Sequence, residues 1–337
     1  MSRIASTWTL AVAATFGLAL PACTYDPLED IDVAAIRAVV GDIDEQRVWA
    51  DIQAQVSAHT TDGGFPCQQT GIYVPNGNCA LTHTAVRATI DERLVQAGLE
   101  PRRHRQDDPI FPTVNITADL RGVSSPDEVV VVAAHYDVFY AAANDNGSGV
   151  AAVLEAARVL SAYSFDRTIR FVFFDLEEVG LIGSQRFVDA WPSEETLTVA
   201  LVLDMIGYAA HQAGSQQVPP GFSAPDVGDF LALFANGHSE DHATQAYALN
   251  RALDAVRLEA IIVPSSASPA RLMLERSDHA PFWLAGLPAV FLTDTGDFRN
   301  PNYHEPSDTI DTIDERLLGG GTELTIAITA AWAGGPR

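Results

Sequence analysis

Three almost wholly apolar runs, spaced by stretches of helical periodicity, leave this chain few folds to choose from. They are VVVVAA at 129–134, TIRFVFF at 168–174 and TVALVLDMI at 198–206. A strand with one wet face alternates polar and apolar residues. Runs without alternation are strands covered on both faces, as in a parallel sheet with crossover helices. Between the runs lie GSGVAAVLEAARVLSAY (147–163) and GLIGSQRFVDAW (180–191), both readable as helices. The alternation returns with a helix near 241–257, a strand near 258–264, a short helix at 278–285, a strand at 288–294 and a last helix near 312–333. Upstream, amphipathic helices are expected at 42–57 and 81–99. They precede β-rich segments at 113–120 and 128–134, joined by the turn-forming RGVSSPD. Residues 208–240, rich in Gly, Pro, Ser and Gln, break the rhythm and read as an excursion over one edge of the sheet, part of a substrate cap. The expectation is a single α/β domain over 41–337, its central sheet mixed but mostly parallel, with helices on both faces.

Charge excludes one class of partner. The 337 residues carry a formal net charge of -24, and no lysine occurs, so every basic side chain is arginine or histidine. Nucleic acid needs a basic patch that such a surface does not offer. The chain starts like an exported protein: Arg3 precedes an apolar run over 8–20, too short to span a bilayer comfortably, so 1–22 reads as a signal peptide. Leu20-Pro21-Ala22-Cys23 resembles a lipobox, in which Cys23 carries lipid and 23–40 forms a tether or the beginning of a first helix. Ordinary cleavage and release is the alternative. The protein is then a cell-envelope lipoprotein or a secreted one, touching membrane only through that anchor. Cys67 and Cys79 remain as an even pair bracketing a Gly/Pro/Asn-rich loop, the setting for a disulfide in an oxidising compartment.

The chemistry collects where the strands end. In open α/β sheets, ligands gather beyond the carboxyl ends of the strands. VVVVAA runs on to His135, Tyr136 and Asp137, then to Asn144, Asp145 and Asn146. TIRFVFF leads to Asp175, Glu177 and Glu178. TVALVLDMI carries Asp204, and PAVFLTD leads into the loop bearing Tyr303, His304 and Glu305. A lone histidine after a strand is usually structural, and a lone aspartate usually a helix cap. Four strand ends bearing imidazole or carboxylate would bury charge at high cost without a cation. Two imidazoles and three carboxylates, without thiolate, suit zinc, with manganese or cobalt as substitutes. Five ligands exceed the three or so of one catalytic zinc but serve two ions if one carboxylate bridges them.

The strings AAHYDV, NDNGSGVAAVLEAAR, FFDLEEVGLIGS, LDMIG, RSDHAPF and RNPNYHEPSDT resemble, in order, the motifs of metallopeptidase family 28. That family includes secreted bacterial di-zinc aminopeptidases. The resemblance implies a zinc-exopeptidase domain that removes N-terminal residues from peptides with a free N-terminus. It implies His135, Asp145 (bridging) and Asp204 on one ion, and Glu178 and His304 with the bridge on the other. It makes Glu177 the general base and Tyr303 an oxyanion donor. Two residues apart in an extended segment, Asp137 is expected to accept a hydrogen bond from the far nitrogen of His135 and fix its tautomer. Arg276 and Asp278 are read either as shaping the substrate end of the pocket or as structural, and His279 as structural. Rival chemistries fail on spacing: there is no GxSxG elbow around Ser148, and position 308 is aspartate where HExxH needs histidine. Two alternatives on the same fold are a one-zinc glutaminyl cyclase, which typically lacks one imidazole ligand, and a non-catalytic binding module, which loses ligands or base.

Overall fold

A computed structural model describes residues 26–62, 83–140, 142–219, 222–263 and 274–337. The expected signal peptide, Cys23, Cys67 and Cys79 lie outside the described residues.

Among the described residues, eight strands form one sheet. In chain order they are β1 (Arg102–Gln106), β2 (Thr113–Leu120), β3 (Ser125–His135), β4 (Arg167–Phe174), β5 (Thr196–Leu203), β6 (Leu231–Asn236), β7 (Leu258–Val263) and β8 (Ala289–Thr293). Their order across the sheet is β1-β2-β4-β3-β5-β8-β6-β7. The centre, β4-β3-β5-β8, is parallel, as is the β6–β7 pair; β1 with β2, β2 with β4 and β6 with β8 are antiparallel. The sheet is thus mixed and mostly parallel, as expected from the apolar runs.

The valine run shows why. Val130, Val132 and Ala134 point into one core while Val129, Val131 and Ala133 point into the other, and all six are fully buried. Pleating sends successive side chains to opposite faces, so a strand covered twice must be apolar throughout. The first face is covered by α1 (Val33–Val40), α2 (Glu45–Asp62), α3 (Thr84–Gln96), α4 (Gly147–Leu160), α6 (Glu240–Leu253) and α8 (Glu315–Trp332). The second is covered by α5 (Ile182–Asp189) and α7 (His279–Leu284). Helix α4 is the central one, wedged between the sheet and helices α2 and α8. It is made of small residues, and every position but Arg158 is buried. Its one internal carboxylate, Glu155, is satisfied by the Asp44 amide at 2.7 Å and by Arg158 at 2.8 Å.

Three elements differ from the sequence expectation. The segment 23–40, expected as a tether or the beginning of a first helix, is helix from Val33. Asp32 caps it by accepting from the Ala35 amide, and Ile36, Val39 and Val40 pack into the first core beside α8. The excursion expected over 208–240 ends earlier, because Leu231–Asn236 is a fully buried strand between β8 and β7. Strand β1, RRHRQ, has no apolar residue and is exposed throughout; only its pairing with β2 makes it a strand.

Ile36 is fully buried, so Ile36→Ala should lower unfolding free energy by about 2–5 kcal/mol in denaturant titration. An unchanged midpoint would return 33–40 to the status of a tether.

Candidate metal centre

The four parallel central strands end at the same edge, and the chain leaves three of them, as well as the last loop, through left-handed residues. Leu176 has φ 57°, Met205 59°, Thr295 77° and His304 57°. Side-chain-bearing residues seldom adopt this conformation, and clusters of it mark functional sites. Leu176 and Met205 stand next to Glu177 and Asp204, and His304 is itself part of the centre.

His135, the last residue of β3, is 1% exposed. Its Nε2 lies 3.4 Å from Asp204 Oδ1, 3.5 Å from Asp145 Oδ1 and 4.0 Å from Glu177 Oε2. His304 Nε2 lies 3.1 Å from Asp145 Oδ2 and 2.9 Å from Glu178 Oε2. Asp145 therefore stands between the two imidazoles, turning one oxygen to each. Among the described residues, three groups have ligand atoms within 4.8 Å of one another: His135 with Asp145 and Asp204, Asp145 with Glu178 and His304, and His135 with Glu177 and Glu178. All five residues read as ligands from sequence come together, with Glu177 among them. Tyr303 stacks on His304, ring centroids 3.8 Å apart, and lines the same pocket.

The loops that carry these groups are tied to one another. Asn144 Nδ2 donates to Asp294 at 2.8 Å, and Asn144 Oδ1 accepts from the Gly207 amide at 2.9 Å. Asn146 donates to the Leu203 carbonyl at 2.9 Å and accepts from the Met205 amide at 3.1 Å. Ser148, fully buried, donates to the Asn144 carbonyl and accepts from the Ile206 amide, so its hydroxyl is occupied. The polar letters of NDNGS thus splice the β3 exit to the β5 exit. On the other side Asp175 accepts from the Val114 amide and pairs with His83 and Arg87, fixing the end of β4 against α3.

Two second-rank residues play parts that the sequence reading did not assign. The expected Asp137–His135 pairing takes a different form. The imidazole Nδ1 sits 2.9 Å from the Asp137 backbone carbonyl, with the carboxylate at 3.7 Å. The carboxylate instead accepts the amides of Glu177 and Glu178 at 3.0 and 3.2 Å. The chain leaves its strand at His135, so the two side chains no longer share an extended direction. Asp308, quoted within RNPNYHEPSDT but given no role, does the same for the other loop: it accepts the amides of Asn144 and Asp145 at 3.0 and 2.9 Å. No local signal distinguishes either from a surface carboxylate. Arg276 pairs with Asp297 at the pocket mouth, and His279 is buried, stacked on Phe291 and bound to the Leu274 carbonyl.

Burial and mutual repulsion press protons onto this cluster. Glu177 is raised well above the usual carboxylate range by burial, with Asp204, Glu178 and Asp278 adding to it. Glu178 is pushed up to about 8, by burial and then Asp145. Asp278, fully buried behind the centre, goes to about 7, chiefly through burial. Burial would lower His304, but Asp145 and Glu178 hold it up at about 10. Only Asp204 is held below its ordinary value; burial would raise it, and His135 outweighs that. Carboxylates this crowded stay anionic only beside a cation. The donors present fit one: two imidazoles and hard carboxylate oxygens without thiolate suit zinc, and buried Glu178 Oε1 has no hydrogen-bond partner.

Residues 115–329 match the model of peptidase family M28. The chain belongs to that family. It is accordingly a metallopeptidase, and aminopeptidases are among the proteins it resembles. Aminopeptidase YwaD of Bacillus subtilis is 32% identical over 63% of this chain and 42% of its own length. A "Probable lipoprotein aminopeptidase LpqL" of Mycobacterium tuberculosis is 29% identical over 67% and 47%. This chain thus spans less than half of either relative. Among solved structures, BSAP, a zinc aminopeptidase from Bacillus subtilis, superposes with TM-score 0.51 at 26% identity, over 66% of this chain and 51% of that one. Legionella pneumophila LapA aminopeptidase gives 0.66 at 18%, over 94% and 77%. Porphyromonas gingivalis glutaminyl cyclase gives 0.58 at 18%, over 86% and 98%; these last two likenesses concern the fold.

Because Asp308 holds the Asp145 loop through two amides, Asp308→Asn should weaken divalent-metal binding by about 10–100-fold in competition with a chromophoric chelator. Unaltered affinity would separate Asp308 from the metal centre.

Proposed function

We propose that the protein is an exported, zinc-dependent aminopeptidase with two metal ions. The observation that carries this is the sharing of Asp145 between two compact ligand groups, one with His135 and Asp204, the other with Glu178 and His304. Each ion would then have three protein ligands and keep a position open, the pattern of catalytic rather than structural zinc. Manganese or cobalt would fit the same donors. When bound, the ions would supply Lewis acidity to the scissile carbonyl and make a water acidic enough to attack near neutral pH.

The remaining work falls to side chains of this chain. Glu177 lies beside the ligands without being needed in either group, and burial raises its proton affinity. It suits a general base that takes the proton of the attacking water and gives it to the departing amine. Asp137 holds the Glu177–Glu178 turn through both amides, so base and ligand keep fixed directions. Tyr303 is raised above the ordinary phenol by burial and by the surrounding carboxylates. Its hydroxyl thus keeps its proton, and donates it in a hydrogen bond to the oxygen that gains charge in the transition state. The carboxylates about the centre provide a partner for the α-ammonium of a peptide N-terminus.

Export is supported by the apolar run over 8–20 and the lipobox-like LPAC ending at Cys23. It is in keeping with the name of LpqL, a "Probable lipoprotein aminopeptidase". Among the described residues no helix is long and apolar enough to cross a membrane. A one-zinc glutaminyl cyclase is disfavoured by the presence of both imidazoles, and a non-catalytic module by the presence of every ligand and the base.

Metal analysis of the purified protein should return two zinc ions per chain; one would favour the cyclase and none the binding module. Aminoacyl-p-nitroanilides should be hydrolysed and chelation should abolish the activity. Glu177→Gln should lower kcat by about 10³-fold, within the range for a positioned base, while keeping its metal. A fully active Glu177→Gln enzyme would refute the role given to that residue.

A further inference from the structure

The two imidazoles of the centre are held in different ways. His135 ends a central strand, its side chain is 1% exposed, and its Nδ1 lies 2.9 Å from the Asp137 carbonyl. A metal-bound histidine commonly donates its far N–H to an oxygen, which fixes both tautomer and ring plane. His304 lacks that support. It stands in the loop after β8 with a left-handed backbone, and its side chain is 32% exposed. Among the described residues no protein oxygen holds its Nδ1. Rotation about Cβ–Cγ would swing Nε2 away from Asp145 Oδ2 and Glu178 Oε2, which lie 3.1 and 2.9 Å from it.

What restrains this ring is other rings. Tyr303 stacks on it, with centroids 3.8 Å and planes 20° apart, but Tyr303 is its chain neighbour and travels with the same loop. Phe139 comes from elsewhere. It meets the His304 ring at 4.4 Å with the planes 65° apart, an edge-on geometry that aromatic pairs favour. Phe139 lies on the connection from β3 to α4, which is anchored at both ends. At one, Asp137 accepts the amides of Glu177 and Glu178; at the other, the Ala143 amide donates to the Asp308 carbonyl at 3.2 Å. Between these anchors Tyr140 and Ala142 have φ of 62° and 30°, values that side-chain-bearing residues seldom adopt and that gather at functional segments. Phe139 does not line the pocket that holds Glu177 and Tyr303, so it reaches His304 from outside it.

We propose that Phe139 is a positioning residue for the ion of Asp145, Glu178 and His304: its ring holds the His304 imidazole with Nε2 facing the two carboxylates. This role rests on the two-metal reading and gives the retention of one ion to a side chain outside both ligand groups. A packed ring does for His304 what a hydrogen bond does for His135. It acts on the direction of one imidazole, so the ion of His135 and Asp204 is left alone.

The test counts ions. Zinc-loaded wild type, Phe139→Ala and Phe139→Tyr are dialysed against buffers of graded free zinc, and bound zinc is measured. Phe139→Ala should need about tenfold more free zinc to fill its second site, the upper range for one aromatic contact, while holding its first ion as the wild type does. Phe139→Tyr, which keeps the ring, should fill like the wild type. At saturating zinc, Phe139→Ala should recover the wild-type kcat on an aminoacyl-p-nitroanilide, because the ring lies outside the pocket. Unchanged filling in Phe139→Ala, equal weakening of both ions, or no recovery with Phe139→Tyr would overturn the role. So would a kcat that stays low at saturating zinc, which would make the ring part of the catalytic pocket. A wild type that takes up a single ion would sink the two-metal reading and this role with it. Two ions with identical filling in wild type and Phe139→Ala would sink this role alone.

Discussion

Carboxylates repel one another, and a protein that buries several side by side must hold them against that repulsion. Here Asp145, Glu177, Glu178 and Asp204 crowd around His135 and His304, with Asp278 behind them, at one edge of the sheet. Such a cluster adds nothing to folding by itself. Its cost is met by the parallel core beneath it, in which β3, β4, β5 and their helices exclude water almost completely. The stiffness of those strands fixes where the charges start, and left-handed turns fix where they point.

Backbone amides take up part of this charge. Asp137 and Asp308, neither within a ligand group, each bind two successive amides of a loop that carries ligands. Asn144, Asn146 and Ser148 join the β3 exit to the β5 exit by hydrogen bonds in both directions. The ligands are therefore preorganised by a web spanning four strand ends, and the loss of one link is felt at distant ones.

Much of this was legible in the sequence because the informative pattern is local. A run such as VVVVAA can only be a strand buried on both faces, and the residues just beyond it must then lie at the sheet edge. The candidate residues followed from those positions, and their expected roles from the family motifs. What escaped was set by distant partners. Strand β6 sits in a stretch whose Gly/Pro-rich first half suggested a loop. Helix α1 is too short to show a decisive period and owes its place to packing on α8. Asp137 bonds amides forty residues away, and nothing near it in sequence points there.

Strand β1 has a consequence of its own. It lies at the margin of the sheet, with Arg102, Arg103, His104 and Arg105 in succession and all exposed. An open strand margin invites pairing with another molecule, the first step toward aggregation. Were two copies to meet through this margin, long charged side chains would crowd it from both, with Arg103 and Arg105 bringing their partners Asp91 and Asp107. These solvated, ion-paired side chains blunt a place where the backbone alone would draw molecules together.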